Sequence, residues 1–148
     1  MRVEAALRRA IGTRATLRTH LPLVLGRWSA PEPDVAVVEG TERDYDTAHP
    51  DTALLVVEIS DTSLAQDRLT KSRLYAAAGI AEYWIVNLRA RCLEVHWEPD
   101  SKRRIYGAAR TLGADEEVEL SALPGASVAV ADLFPASLVP GTPSPGYR

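Results

Sequence analysis

The chain lacks most of the patterns that would name its chemistry directly. It has one cysteine, Cys92, so an intrachain disulfide is impossible and a cysteine-based zinc site lacks ligands. No cluster of His and Cys occurs at zinc spacing. No apolar run reaches membrane-spanning length and no signal-peptide pattern opens the sequence, so a soluble protein of the reducing cytoplasm is expected. Positive charge is not in excess: 17 Lys and Arg stand against 20 Asp and Glu, a formal net charge of −3. Proteins that coat nucleic acid through bulk charge are usually basic, so any such contact must come from a local patch. Neither G-x4-GK-[ST] nor G-x-G-x-x-G is present, which removes the two common phosphate-cradling loops. There is no internal repeat and no linker that would split the chain.

What is present suits one globular domain, expected over residues 1–137. The Pro- and Gly-rich remainder, 138–148, is expected to be disordered. The organising stretch is Leu54 to Val86, which reads as strand, turn, helix, Gly stop and strand. Leu54 to Ile59 is apolar at every position but Glu58, the pattern of a central strand covered on both faces. A carboxylate there must be neutralised, paired or bound to a metal. The alternative is that Glu58 stands at the strand's exposed end and has no role.

Ser63 with Gln66 three residues later fits a capping box, and Gly79 sits where a left-handed stop residue belongs. Between them Asp67, Lys71 and Tyr75 are spaced i, i+4, i+8 and share a helix face with Leu74 and Ala78. Arg68, Ser72 and Arg73 fall on the other side. Lys71 therefore either faces the sheet, where it needs an acidic partner, or snorkels to water.

Elsewhere, Val3 to Ile11 reads as a short helix and Ala15 to Leu25 as a half-exposed strand, broken near Pro22. Arg14, Arg18 and His20 are expected on its solvated face. Pro31 and Pro33 precede Asp34 and the apolar strand Val35 to Val38. Thr41 to Thr52 is a polar surface loop in which His49 is expected to be solvated. Ala81 to Asn87 is a further apolar strand. Arg91 to Trp97 and Arg103 to Tyr106 form a meander around a Pro99–Asp100–Ser101 turn. Cys92 lies in an alternating strand, as an inert buried thiol. Short strands follow near Val118 to Leu120 and Ser127 to Val130, and a helical turn near Asp132 to Leu138.

PEPDVAVV, LLVVEIS and SLAQDRLTKSRLYAAAGIAEYWIV, in this order and spacing, resemble the Uma2-like family, a bacterial branch of the restriction-endonuclease-like superfamily. The resemblance runs from about Arg18 to about Pro135, and the ordered set D-x3-K-x3-Y-x3-GI-x-EYWIV makes it specific. It implies an α/β fold: a restriction-endonuclease-like core with a central mixed β-sheet flanked by helices, then a C-terminal β-meander. It also implies a PD-(D/E)XK nuclease site. Asp34 matches the Asp of the Pro-Asp motif and Glu58 the second acid. Ser60 stands where the superfamily usually has lysine, as is typical of this branch, and Lys71 from the helix takes that role. Asp67 and Tyr75 match as supports. The family usually carries a longer N-terminal segment than the seventeen or so residues before Arg18. Glu4 is the one acid there that the first helix offers.

The implied chemistry is phosphodiester hydrolysis of DNA. Asp34, Glu58 and the main-chain carbonyl of Ile59 would hold Mg²⁺, with Mn²⁺ as a substitute. Lys71, beside two carboxylates, would stay protonated and act electrostatically. Arg68, Arg73, Arg89, Arg91, Lys102, Arg103 and Arg104 would supply a local phosphate-binding surface, or serve only solubility. Cutting both strands with one site per chain is simplest for a homodimer. Two rival readings are a catalytically silent module that binds nucleic acid or protein, and a hydrolase of a non-nucleic phosphodiester.

Overall fold

A computed structural model describes residues 2–136. The tail expected from residue 138 lies outside them. The first helix, α1 (Arg2–Ile11), buries Val3, Ala6, Leu7 and Ile11, the stripe that a 3.6-residue period aligns on one face. Then come strands β1 (Thr16–Thr19), β2 (Val35–Val38) and β3 (Leu55–Ser60). A helical run over residues 64–77 carries the chain across to β4 (Glu82–Asn87), and β5 (Cys92–Asp100) and β6 (Ile105–Leu112) complete the sheet. Its order is β1-β2-β3-β4-β5-β6. Only β3 and β4 are parallel, as a strand–helix–strand crossover requires; every other neighbour pair is antiparallel. A separate antiparallel pair, β7 (Glu117–Glu119) and β8 (Ser127–Ala129), leads into a 3₁₀ turn at Val130–Leu133. The α/β class, the mixed sheet and the C-terminal meander are as the sequence predicts.

Both faces of the sheet are covered. Leu17, Val35, Val37, Leu55, Val57, Trp84, Val86 and Leu93 pack with α1 and the β7–β8 pair in one core. Ala36, Val56, Tyr83 and Ile85 point the other way, into a core with Tyr75, Ile80, Leu23 and Leu25. This double burial is why β3 and β4 read as nearly continuous apolar runs.

Several boundaries differ from the sequence reading, each for a physical reason. The strand expected over Ala15–Leu25 ends at Thr19, where His20 takes a left-handed φ of 52°. Beyond it the chain bonds to other loops, Leu23 N to Pro31 O at 2.9 Å and Val24 N to Pro50 O at 2.9 Å, and still buries Leu23 and Leu25. Apolar alternation there marks burial without a ladder. Arg18 does not lie on a solvated face. It is 9% exposed, with Nη2 2.9 Å from His49 Nδ1 and its guanidinium over the Tyr45 ring. His49 is exposed, as expected, and meets Arg18 through Nδ1.

The hairpin turn falls at 101–104, two residues later than expected, with Asp100 Oδ1 accepting from the N–H groups of Lys102 and Arg103. Strand β5 outruns β4, whose last pairing is Glu82 with Trp97, so Pro99 needs no donor on that side and stays in the strand. The last helical turn begins at Val130, not Asp132.

The run 64–77 is the largest departure. It is α-helical at Leu64–Gln66 (α2), π-helical at Asp67–Lys71, and α-helical again at Ser72–Ala77 (α3). A π turn spreads its bonds over one more residue than an α turn. The buried stripe therefore shifts from 67 to 72, 75 and 76, leaving Ala78 exposed and Leu69 63% exposed. The capping box does not form: Ser63 Oγ makes no cap bond and donates instead to Asp67 Oδ2 at 2.9 Å. The stop is as expected. Gly79 has φ 74°, and Gly79 N to Ala76 O with Ile80 N to Tyr75 O closes a Schellman motif.

Candidate active site

Strand register brings the first two acids together. Val35 pairs with Val57, so Asp34, the residue before β2, lies opposite Glu58 on β3. The two residues lock each other. Asp34 N donates to Glu58 Oε1 at 3.1 Å, and Ile59 N donates to Asp34 Oδ2 at 2.7 Å. Glu58 is in mid-strand with a side chain only 3% exposed, so the reading of an exposed strand end is overturned. Asp34 is 29% exposed and its Oδ1 lies 3.6 Å from His20 Nδ1.

The helical run supplies the rest. Lys71 Nζ is 3.3 Å from Glu58 Oε2 and 3.1 Å from Asp67 Oδ1. Its side chain is 34% exposed, so the ammonium is held between two acids and is not snorkelling freely. Tyr75 OH donates to Glu58 Oε2 at 2.8 Å. Asp67, 1% exposed, is held in turn by the hydroxyls of Ser60 and Ser63. Tyr83 OH donates to the main-chain carbonyl of Asp67 at 3.0 Å, within the π turn. Asp34, Glu58, Lys71, Asp67 and Tyr75 thus form one contiguous group. Ile59 joins it through its N–H. Glu4 does not: it pairs with Arg8 on α1, which covers the opposite face of the sheet.

The electrostatics follow from burial. Burial raises the Glu58 carboxyl above the usual range, against the opposing pull of the Asp34 N–H, Tyr75 and Lys71. Burial lowers the Lys71 ammonium, but Glu58 and Asp67 outweigh it and the net shift is upward. Tyr75 is pushed up by burial and then by Glu58, so it remains a donor. Three carboxylates face one ammonium, a formal excess of two negative charges if all are ionised. A divalent cation would offset that excess, and the donor set is the hard-oxygen type that Mg²⁺ takes. Among the described residues no three His, Cys, Asp or Glu side chains gather as a metal cage. Any such ion would rest on two carboxylates, main-chain oxygen and water, and would replace one of the donors now on Glu58.

Three partners were not foreseen. Ser60 follows Glu58 by two and so shares its face, a signal that strand alternation contains. Ser63 fits a cap by sequence and instead holds Asp67. Tyr83 acts through a backbone carbonyl, for which no sequence pattern exists. Farther along the sheet, Glu94 lies in the same row as Glu58 through Ile85 and takes a two-pronged bond from Arg68, at 2.9 and 2.7 Å. Arg68 is therefore committed to an ion pair, as Arg89 is to Asp61. Arg91 donates to Pro135 O. The basic surface expected above is reduced accordingly.

Comparison with known proteins agrees with this architecture. The model of the Uma2 family, described as "Putative restriction endonuclease", matches residues 2–131. A crystal structure from Anabaena variabilis, described as "a putative nuclease belonging to DUF820", superposes with a TM-score of 0.63 at 16% identity. The match covers 89% of this chain and 76% of that one, and at such identity it speaks for the fold alone. No curated protein matches. No helix among the described residues is long and apolar enough to cross a membrane. With a family match that takes in α1 and every strand to β8, this chain belongs to the Uma2 family.

Proposed function

We propose that the protein is a Mg²⁺-dependent endonuclease that hydrolyses phosphodiester bonds of DNA. The observation that carries the reading is the convergence of Asp34, Glu58 and Lys71 from a loop, a strand and a helical run, with Lys71 Nζ 3.3 Å from Glu58. Asp34, Glu58 and the Ile59 carbonyl would hold the ion. When bound, Mg²⁺ would polarise the phosphate and lower the pKa of a water. Lys71 orients the attacking water and offsets charge that grows on the phosphate oxygens. Its raised pKa keeps it protonated, which suits that role and not general-base work. Asp67 fixes the ammonium, and Tyr75 fixes the Glu58 carboxylate. Two such chains acting as a homodimer would cut both strands.

Incubation of plasmid DNA with Mg²⁺ or Mn²⁺ tests this: nicking or cutting is expected, and Glu58→Ala or Lys71→Ala abolishes it. Cleavage that survives both changes refutes the assignment. One observation favours a second reading, that of a silent nucleic-acid-binding module. Both oxygens of Glu58 already carry donors, so the carboxylate is satisfied without a cation. Calorimetry separates the two. Binding heat with Mg²⁺ that disappears in Asp34→Ala supports the enzyme, and no heat supports the module.

A further inference from the structure

On the outer side of the helical run that carries Lys71 lies a cavity of about 660 Å³. Its walls include Leu25 and Ser29 from the loop after β1, Leu69, Arg73 and Leu74 from the helical run, and Arg104 from the β5–β6 turn. The size is that of a small-ligand pocket. Two features have no role in the fold. Trp28 stands between Gly26 and Ser29, which both line the cavity, and is 90% exposed. Arg73 and Arg104 form no ion pair among the described residues, unlike Arg68 and Arg89. Asp51 also lines the cavity, so two guanidinium groups face one carboxylate, in a chain whose net charge is −3.

We infer that this cavity and the Trp28 rim form a groove for an unpaired stretch of nucleic acid, leading to Lys71. The inference rests on the nuclease reading and specifies how the substrate would lie. Charge selects the occupant: a local cationic pair in an acidic protein suits a polyanion. The aromatic selects the form. An exposed indole gains by stacking on an open base face, which a single strand offers and the interior of a duplex does not. Continuity selects the direction, since Thr70, which lines the cavity, adjoins Lys71 in sequence, and Lys71 is itself one-third exposed. The loop that carries Trp28 is closed by Leu25 N donating to Ser29 O at 2.8 Å, and Gly26 takes the φ of 78° that the turn needs.

The test uses the full chain in metal-free buffer, so that no cutting occurs. The probe is a labelled oligothymidylate of about twelve nucleotides, within the roughly 4–16 nucleotides that such grooves span. Trp84 is fully buried and Trp97 half-buried, so a change in tryptophan emission on binding reports Trp28. Trp28→Ala is expected to weaken binding by roughly 5- to 150-fold, the range of one lost base stack. Arg73→Ala and Arg104→Ala should each reduce the slope of log affinity against log salt by about 0.7. All three residues are at the surface, and an unchanged urea midpoint shows that each variant folds.

Unchanged affinity in Trp28→Ala and Arg73→Ala overturns the groove, as does tighter binding of a duplex of the same length. Shielding of Trp28 that rises with protein concentration, without oligonucleotide, means a second copy occupies the surface and overturns it too. Glu58→Ala separates this inference from the nuclease reading. If no form of the protein cuts DNA but the parent and Glu58→Ala both bind the strand, the groove stands and the enzyme falls. If the parent cuts and the groove variants bind normally, the reverse holds.

Discussion

The two faces of the sheet bury comparable side chains from the same strands and differ in chemistry. Leu55 and Val57 point towards α1 into a dry core; Glu58 and Ser60, one residue out of phase, point towards the helical run. On the α1 face, Glu82 is the one buried acid among the described residues, and Trp84 and Ser121 each give it an N–H. On the helical face Arg18, Glu58, Asp67 and Glu94 are all buried, and each has a polar partner from another segment of the chain. Polar groups removed from water must be hydrogen-bonded or charged groups paired, and meeting that need takes several segments in fixed register. One face is built for cohesion and the other holds a buried polar network in place.

Substitutions on each face sharpen this contrast. The largest effect is expected from Glu58→Gln, which keeps the shape and removes the charge: cleavage in Mg²⁺ should fall by about 10³-fold or more in a plasmid assay. Its unfolding free energy should change less than that of Leu55→Ala, on the other face of the same strand. Leu55→Ala should cost about 2–5 kcal/mol by urea denaturation, while cleavage per folded molecule is retained. The reverse pattern would show that the two faces do not divide their roles in this way. Tyr75→Phe, which removes the hydroxyl on Glu58, should cost about 0.5–1.5 kcal/mol in the same measurement.

The smallest effect concerns Arg68 and Glu94. Burial pushes the Glu94 carboxyl up, but the bonds and charge of Arg68 more than reverse this, and the net shift is downward. A carboxyl whose folded pKa lies below its unfolded value stabilises the fold above the unfolded pKa, 4.5 for glutamate. That contribution is lost as pH falls through the folded pKa. Arg68→Ala should therefore flatten the acid limb of stability by about 1 kcal/mol or less, because Arg68 is half in water. An unchanged limb in denaturation at low pH would remove the ion pair from the account.

How much was readable in advance differs residue by residue. Glu58 was visible because a lone acid in a run buried on both sides must have a partner. Asp67, Lys71 and Tyr75 were visible as a spacing, and Gly79 as a stop. Arg18 is not legible this way, since an arginine in an alternating segment looks solvated until loop 41–52 is folded over it. The π turn leaves no sequence signal because it changes the bonding pattern without a marker residue, and Ser63 matches a cap it does not make. Tyr83 and Glu94 escape a sequence reading because their partners are a carbonyl and an arginine on the helical run, 26 residues away.

Residue order alone settled which segments are strands, which one is the crossover helix, and which side chains are too polar for a dry interior, because periodicity and burial cost are local properties. It did not settle who meets whom. That Asp34 reaches Glu58 and that Lys71 sits between two acids depend on strand register and on one extra residue in a helical turn. Those are set only when the whole sheet packs, since each contact joins segments that no local pattern links.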